Sequence, residues 1–248
     1  MNISDRLVSF LKNLSLTEAF FLFWMENVLL WLMALSFGWL LVRLYRKRPV
    51  SNSYGQFSVN IKKELILSFI TIFINTLITL AGFLLWKKGV IIILPFEGGL
   101  RDLLDVLILV LSIDMAMYLL HRMAHLKLFY SFMHRLHHEF EEPTSVTLFS
   151  LHPFETISFG ILWLSILSLY NASIVGIVVY LTLNVLFGII GHCGVEPVPA
   201  SWSANPVLKY IANGSFHVTH HRESERNFGF YTNIWDRLMG TYSPKNKI

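Results

Sequence analysis

The chain has a single cysteine, Cys193, in 248 residues, which excludes an internal disulfide framework. Charge is scarce: Asp, Glu, Lys and Arg make up 15% of the residues, against about 25% in an average soluble protein. With a hydrophobic fraction of 54% and a mean hydropathy of +0.54, that scarcity excludes an ordinary soluble domain and points to the membrane class. The net charge of +4 is modest and is better explained by membrane topology than by nucleic acid, so no nucleic-acid partner is expected. The N-terminal MNISDRLVSFLKNLSL scatters its charges and holds no uninterrupted apolar core, so no cleavable signal peptide is expected. Histidine is missing from the first 120 residues, and all ten lie between positions 121 and 221.

What is abundant is apolar sequence. A hydrocarbon core of about 30 Å takes about 20 apolar residues to cross. Residues 19–42 form such a run, interrupted by Glu26 and Asn27; 65–86 is uncharged; 103–120 carries Asp105 and Asp114. Two shorter runs, 154–170 and 173–190, are joined by YNAS, a connection that suggests a tight hairpin within the bilayer. VIIILPF (90–96) is too short to span and is expected at the interface. Between Arg43 and Lys63 stand Arg43, Arg46, Lys47, Arg48, Lys62 and Lys63 with no acid, which puts this loop in the cytoplasm. Counting spans forward then brings every histidine to the same, cytoplasmic face.

The histidines form boxes: HRMAH (His121, His125), HRLHH (His134, His137, His138) and HVTHH (His217, His220, His221), with His152 and His192 alone. Positions i, i+3 and i+4 share one face of a helix, so each box aims two or three imidazoles at one region. Imidazole suits iron, zinc, copper and nickel alike. On one straight helix the first two boxes would point apart, with His121 at about 0° and His134 at about 220°. The chain is therefore expected to turn between them, within LKLFYS (126–131). Pro143 is expected to end the second helix, and Ser215, in NGS, to cap a third. His152 is open between ligand and local hydrogen-bonding residue, and His192 is favoured as a ligand. Cys193 is read as a small apolar residue.

Metal-bound histidine usually donates its other ring N–H to a carboxylate or carbonyl. Asp114 lies seven residues before His121 on the same helical face and is the preferred orienting partner, the alternative being a helix-packing hydrogen bond. Glu139, Glu155, Glu196 and Asp236 are further outer acids, with Glu196 the tentative choice. Asp105 is read as interfacial, and Glu141 and Glu142 as solvated surface.

HRMAH, HRLHH, GH and HVTHH, in this order and with the first two boxes close together, resemble the fatty acid hydroxylase / sterol desaturase superfamily. The resemblance runs from about residue 100 to residue 242, where NFGFYTNIWDRLMGTY also looks like the family's C-terminal stretch. Acyl desaturases and alkane hydroxylases generally separate their first two boxes further. The resemblance implies an all-α integral membrane protein of four to five transmembrane helices with a cytoplasmic helical cap holding a histidine-rich dimetal site. It implies residues 1–100 as an N-terminal region with two spans and 101–248 as the catalytic domain. It further implies two iron ions, with O2 as co-substrate, in an enzyme that hydroxylates or desaturates a sterol, fatty acyl or related isoprenoid lipid. Carried over by position, the ligands are His121, His125, His134, His137, His138, His217, His220 and His221, with His192 as an additional one. Ligation by His152 is not carried over. Some members have a second histidine shortly after the position of His192, where this chain has Glu196. No segment resembles a fused cytochrome b5 domain, so a separate electron donor is implied (cytochrome b5, a ferredoxin or a reductase). Zinc is the metal such sites tend to carry as isolated. The endoplasmic reticulum and a bacterial inner membrane are not distinguished.

Two other readings stand beside this one. A zinc or copper binding or transport protein would want polar ligands through the membrane interior, and the second span offers no acid or histidine. A scaffold without activity would keep the boxes for a structural metal.

Overall fold

The computed structural model describes residues 3–50, 60–96, 98–140 and 144–244, and the described residues hold helices and three isolated bridges but no strand. In chain order the α-helices are α1 (Ile3–Asn13), α2 (Leu16–Tyr45), α3 (Ile61–Lys87), α4 (Leu100–Ala124), α5 (Lys127–Met133), α6 (Arg135–His138), α7 (Pro153–Leu169), α8 (Ile174–His192), α9 (Gly214–Arg222) and α10 (Ile234–Leu238). Four of them, α2, α3, α4 and α8, are long and apolar enough to cross a membrane; α7 is apolar but shorter. Each runs past its apolar stretch at one end or both because the flanking polar residues suit helix termini. Ser15 and Glu18 form a capping box at the start of α2, and Arg43 sits in its last turn, where a cation complements the helix dipole.

The spanning helices wear their apolar residues outward. On α2 Met25, Leu29, Met33, Phe37, Leu40 and Leu44 are all exposed at helical spacing, a stripe that in water would be a large unfavourable patch and in a bilayer faces lipid. The inward contacts run α2 to α3, α3 to α7, α4 to α7 and α8, and α2 to α8. Close approach is built on glycine. A Cβ on Gly160 of α7 would lie 2.2 Å from Ile78 Cδ1 of α3, and one on Gly38 of α2 would lie 2.0 Å from Ser145 Oγ. Small residues of this kind let membrane helices pack backbone to backbone.

The two ends of the bundle differ. At one end Asp105, fully buried, ties the α7–α8 hairpin to α4: it accepts from Tyr170 Oη (2.6 Å), the Ser173 amide (2.7 Å) and Arg101 Nε (3.2 Å). Asp105 lies near this end of the bundle, where the sequence placed it, and serves there as a buried anchor. Leu94 of VIIILPF bridges to Ser173 at this same end. The other end gathers the C-termini of α2, α4 and α8 and the N-termini of α3 and α7. Val50 pairs with Gly194, Thr147 donates to Glu64, and the short helices α5, α6, α9 and α10 form a cap with the connecting segments.

The expected break between the first two boxes is real and falls at the first residue of LKLFYS: α4 ends at Ala124, and Leu126 is extended (φ −65°, ψ 140°). A second break follows at His134 (φ −126°, ψ −17°) between α5 and α6. The cap of α9 is Asn213, whose side chain accepts from the Phe216 amide, and not Ser215, whose hydroxyl is drawn to Glu196 instead. Pro143, Glu141 and Glu142 lie outside the described residues.

Candidate metal centre

Nine histidines meet under the cap in two adjoining groups. His121, His125, His134, His138 and His220 form one; His137, His192, His217 and His221 form the other; within each, ring nitrogens lie within 4.8 Å of one another. Adjacent residues serve different groups. His137 and His138 diverge on α6, and His220 and His221 on α9, so each short helix is shared between the two. The groups touch, with the His134 and His137 ring centroids 5.2 Å apart and those of His138 and His221 4.9 Å apart.

Four rings have their Nδ1 committed. His121 Nδ1 donates to the Phe228 carbonyl (2.9 Å), His192 Nδ1 to the Gly188 carbonyl (2.8 Å), and His220 Nδ1 to the Arg226 carbonyl (2.6 Å). His134 Nδ1 donates to Glu155 Oε1 at 2.6 Å, both groups being buried. A neutral imidazole carrying its proton on Nδ1 has only a lone pair on Nε2. Yet His121 Nε2 lies 2.9 Å from His134 Nε2. Two lone pairs held face to face without a proton between them repel, and a shared cation removes the conflict. The spacing suits one: nitrogens about 2.1 Å from a common ion and at right angles to each other stand about 3.0 Å apart. The same spacing recurs between His138 and His220 Nε2 (3.1 Å), His192 and His217 Nε2 (3.2 Å), and His217 and His221 Nε2 (3.1 Å). His125 Nε2 is buried without a hydrogen-bond partner. The donor set therefore fits two metal ions, one in each group.

Protonation supports the fit. Burial pushes His134 down to about 3, and burial followed by neighbouring rings holds His137, His217, His220 and His221 well below the usual imidazole range. All are neutral at pH 7, the form that ligates metal.

The remaining residues singled out by sequence fall as follows. His152 is in neither group; its Nδ1 accepts from the Phe154 amide and caps α7. Asp114 does not face His121. Its carboxylate accepts from the Tyr231 amide (2.8 Å), Thr232 Oγ1 (2.6 Å) and Trp235 Nε1 (3.1 Å), pinning the C-terminal segment onto α4. The reason is steric order: Phe228 lies over His121 and takes its Nδ1, so no acid on α4 reaches it. Glu196 touches no ring either; it accepts from the Ser215 amide (3.0 Å) and Oγ (2.7 Å) and holds the start of α9. Asp236 accepts from the Phe228 and Gly229 amides, both at 2.8 Å, steadying the carbonyl that orients His121. Glu139 pairs with Lys63 at the surface. Cys193 is buried and its thiol lies near the Ile190 and Val195 carbonyls, outside both groups. Of the acids, Glu155 alone bonds a ring among the described residues. The carbonyls of Phe228, Gly188 and Arg226 carry no side-chain signal and are invisible to sequence reasoning.

A membrane bundle whose cap closes nine histidines into two groups of ligand spacing defines a histidine cage suited to metal ligation. The family profile described as fatty acid hydroxylase matches residues 106–241, more than half of the chain, and the chain belongs to that family. Among curated proteins it is 28% identical over 159 residues to methylsterol monooxygenase erg25A of Aspergillus fumigatus, covering 62% of this chain and 51% of that protein. It is 30% identical over 132 residues to methylsterol monooxygenase 1 of Danio rerio, covering 52% of this chain and 44% of the relative. With Delta(7)-sterol 5(6)-desaturase of Leptosphaeria maculans it shares 25% identity over 149 residues, or 60% and 40% of the two chains. The chain thus spans about half the length, or less, of these relatives. No solved structure matches it.

Proposed function

We propose that the chain is a lipid oxidoreductase of the membrane that holds two iron ions in its histidine cage and, with O2 and two electrons from a separate donor protein, hydroxylates or desaturates a sterol or related lipid. The observation that supports this reading is the set of Nε2–Nε2 approaches near 3 Å in both groups, with Nδ1 already engaged on both rings of the His121–His134 pair and on one ring of the His138–His220 and His192–His217 pairs. The relatives named for sterol oxidation and desaturation supply the substrate class. When bound, the iron pair would supply O2 activation and hydrogen abstraction from an unactivated carbon.

The chain's own residues do the rest. His121, His125, His134, His138 and His220 would hold one ion, and His137, His192, His217 and His221 the other. Glu155 and the Phe228, Gly188 and Arg226 carbonyls fix ring orientation and keep each Nε2 free of its proton. Phe187, Phe216 and Phe230 line a small crevice beside His192 and His217, which limits water on that side. The basic residues Arg43, Arg46, Lys47, Arg48, Lys62 and Lys63 belong to the cage end of the bundle, which on the positive-inside rule is the cytoplasmic end. Residues 101–248 would form the catalytic domain on a two-span N-terminal region.

The test is purified protein reconstituted with Fe(II), a sterol-containing lipid extract and a reductant. It should bind about two irons and consume O2 with formation of an oxidised lipid, and His137→Ala should lower turnover by at least about a hundredfold while still inserting into membranes. Stoichiometric zinc or copper with metal flux into proteoliposomes, and no O2 consumption, would defeat the reading in favour of a metal transporter.

A further inference from the structure

The two histidine groups differ in their access to water. Every ring of the four-histidine group is buried, whereas His121 and His125 of the five-histidine group are only partly so. Beside His125 a cavity of about 260 Å³ opens, lined by Arg122, Tyr130, Ser224, Glu225 and Phe228 among others, with His125 the only histidine in its wall. Liquid water occupies about 30 Å³ per molecule, so this space takes a hydrated ion or a small chelating group. The Tyr130 ring stands 5.5 Å from that of His125 and 6.1 Å from that of His138, a wall between the cavity and the interior of the group. At the other group the adjoining crevice holds about 10 Å³, no more than one water, and three phenylalanines, Phe187, Phe216 and Phe230, stand in its wall.

We propose that this cavity is the water-side port of the centre: the ion of the five-histidine group exchanges with solution through it, past Glu225 and Arg122, while the ion of the four-histidine group is sealed in. The proposal rests on the two-ion reading above. Metal release requires a hydrated or chelated cation to leave along a path that can solvate it, because a bare ion loses its hydration at great cost in an apolar channel. Only the five-histidine side offers such a path among the described residues: a carboxylate at Glu225, hydroxyls at Ser224 and Tyr130, and volume for water. Arg122 balances Glu225, so neither a cation nor an anionic chelator meets a net repulsive charge. On the four-histidine side the crevice flanked by Phe187, Phe216 and Phe230 has no room for a cation's hydration shell.

The experiment uses the full chain in lipid nanodiscs, loaded with two equivalents of zinc as the probe metal and challenged with excess EDTA. Release should occur in two phases of equal amplitude differing at least about tenfold in rate. His125→Ala should remove the fast equivalent and His192→Ala the slow one. Ser224→Trp, which fills the port from a surface turn, should slow the fast phase about fivefold or more at unchanged zinc content, with the slow phase unaffected. Leu126→Trp, on the opposite wall, is the second plug should Ser224→Trp bind less zinc. A single rate for both equivalents, or two rates that neither tryptophan moves, overturns the port. A wild-type chain that binds fewer than two zinc ions overturns the two-ion reading, and the port with it; a wild-type chain that binds two and releases them alike overturns the port alone.

Discussion

At the scale of single residues, the centre is decided by where protons sit. Nine imidazoles packed together are unfavourable if charged, and burial keeps them neutral; what remains is to choose which nitrogen carries the proton. Three backbone carbonyls and Glu155 make that choice for four rings. Glu155 is the one side chain in this role, and its bond to His134 is short and dry. Glu155→Gln keeps the shape but replaces the carboxyl that holds His134 Nδ1 with an amide. It should weaken metal binding by about 10- to 100-fold, read by zinc competition, with little loss of expression; unchanged affinity would remove Glu155 from the centre. The protonation argument also predicts a pH dependence for the metal-free chain. Unfolded histidine takes up protons below about 6.5, while buried His134 does so only near 3. The unfolded state therefore binds more protons across that window, and stability falls as the pH drops through it. With His137, His217, His220 and His221 held low in the same way, the melting temperature of the chelator-treated protein should decline steadily between about pH 6.5 and 5.

At the scale of elements, the histidine boxes were legible because their spacing is a local, helical property. The break between the first two boxes followed from the same geometry, since a straight helix sends His121 and His134 apart. Asp114 shows where that reasoning stops. Periodicity correctly places Asp114 and His121 on one face of α4, but it says nothing of the segment 228–235 that packs on that face. Phe228 covers His121 and takes its Nδ1, while the Tyr231 and Thr232 amides and Trp235 take Asp114. His152, open in the sequence between ligand and local hydrogen-bonding residue, takes a local role in the structure: HPF is a cap-plus-proline start for α7. Removing the carboxylate with Asp114→Ala strands two amides and an indole N–H in a buried site. Each such orphan costs about 1–3 kcal/mol, so the substitution should destabilise the cap by at least about 3 kcal/mol, seen as a lowered melting temperature and faster proteolysis within 223–244. Gly160→Val acts on the helix pair below the cap. Its side chain would collide with Ile78 and push α7, with Glu155 on its first turn, away from α3. Lower yield of folded protein and weaker zinc binding are expected together, and Gly160→Ala should show the same defects in milder form.

At the scale of the whole molecule, one asymmetry organises everything else. The end of the bundle that carries the cage also carries Arg43, Arg46, Lys47, Arg48, Lys62 and Lys63 around the α2 and α3 termini; the opposite end is tied by Asp105, Tyr170 and the α7–α8 turn and has the basic residues Arg6, Lys12, Lys87, Lys88 and Arg101 beside the acids Glu18, Asp102 and Asp105. Under the proposed function a soluble cytoplasmic donor would have to reach the cage end, and the positive-inside rule proposes the same orientation. Orientation is directly measurable because Cys193 is the only thiol and is buried. In a Cys193→Ser background, a cysteine introduced at Glu225 on the cap and another at Asn171 in the α7–α8 turn report opposite ends. In sealed, right-side-out cells or vesicles, a membrane-impermeant maleimide should label the cysteine at 171 at once and the one at 225 only after permeabilisation. The reverse pattern would put the cage outside, separate it from any cytoplasmic electron donor, and remove the positive-inside argument for this chain while leaving the metal geometry untouched.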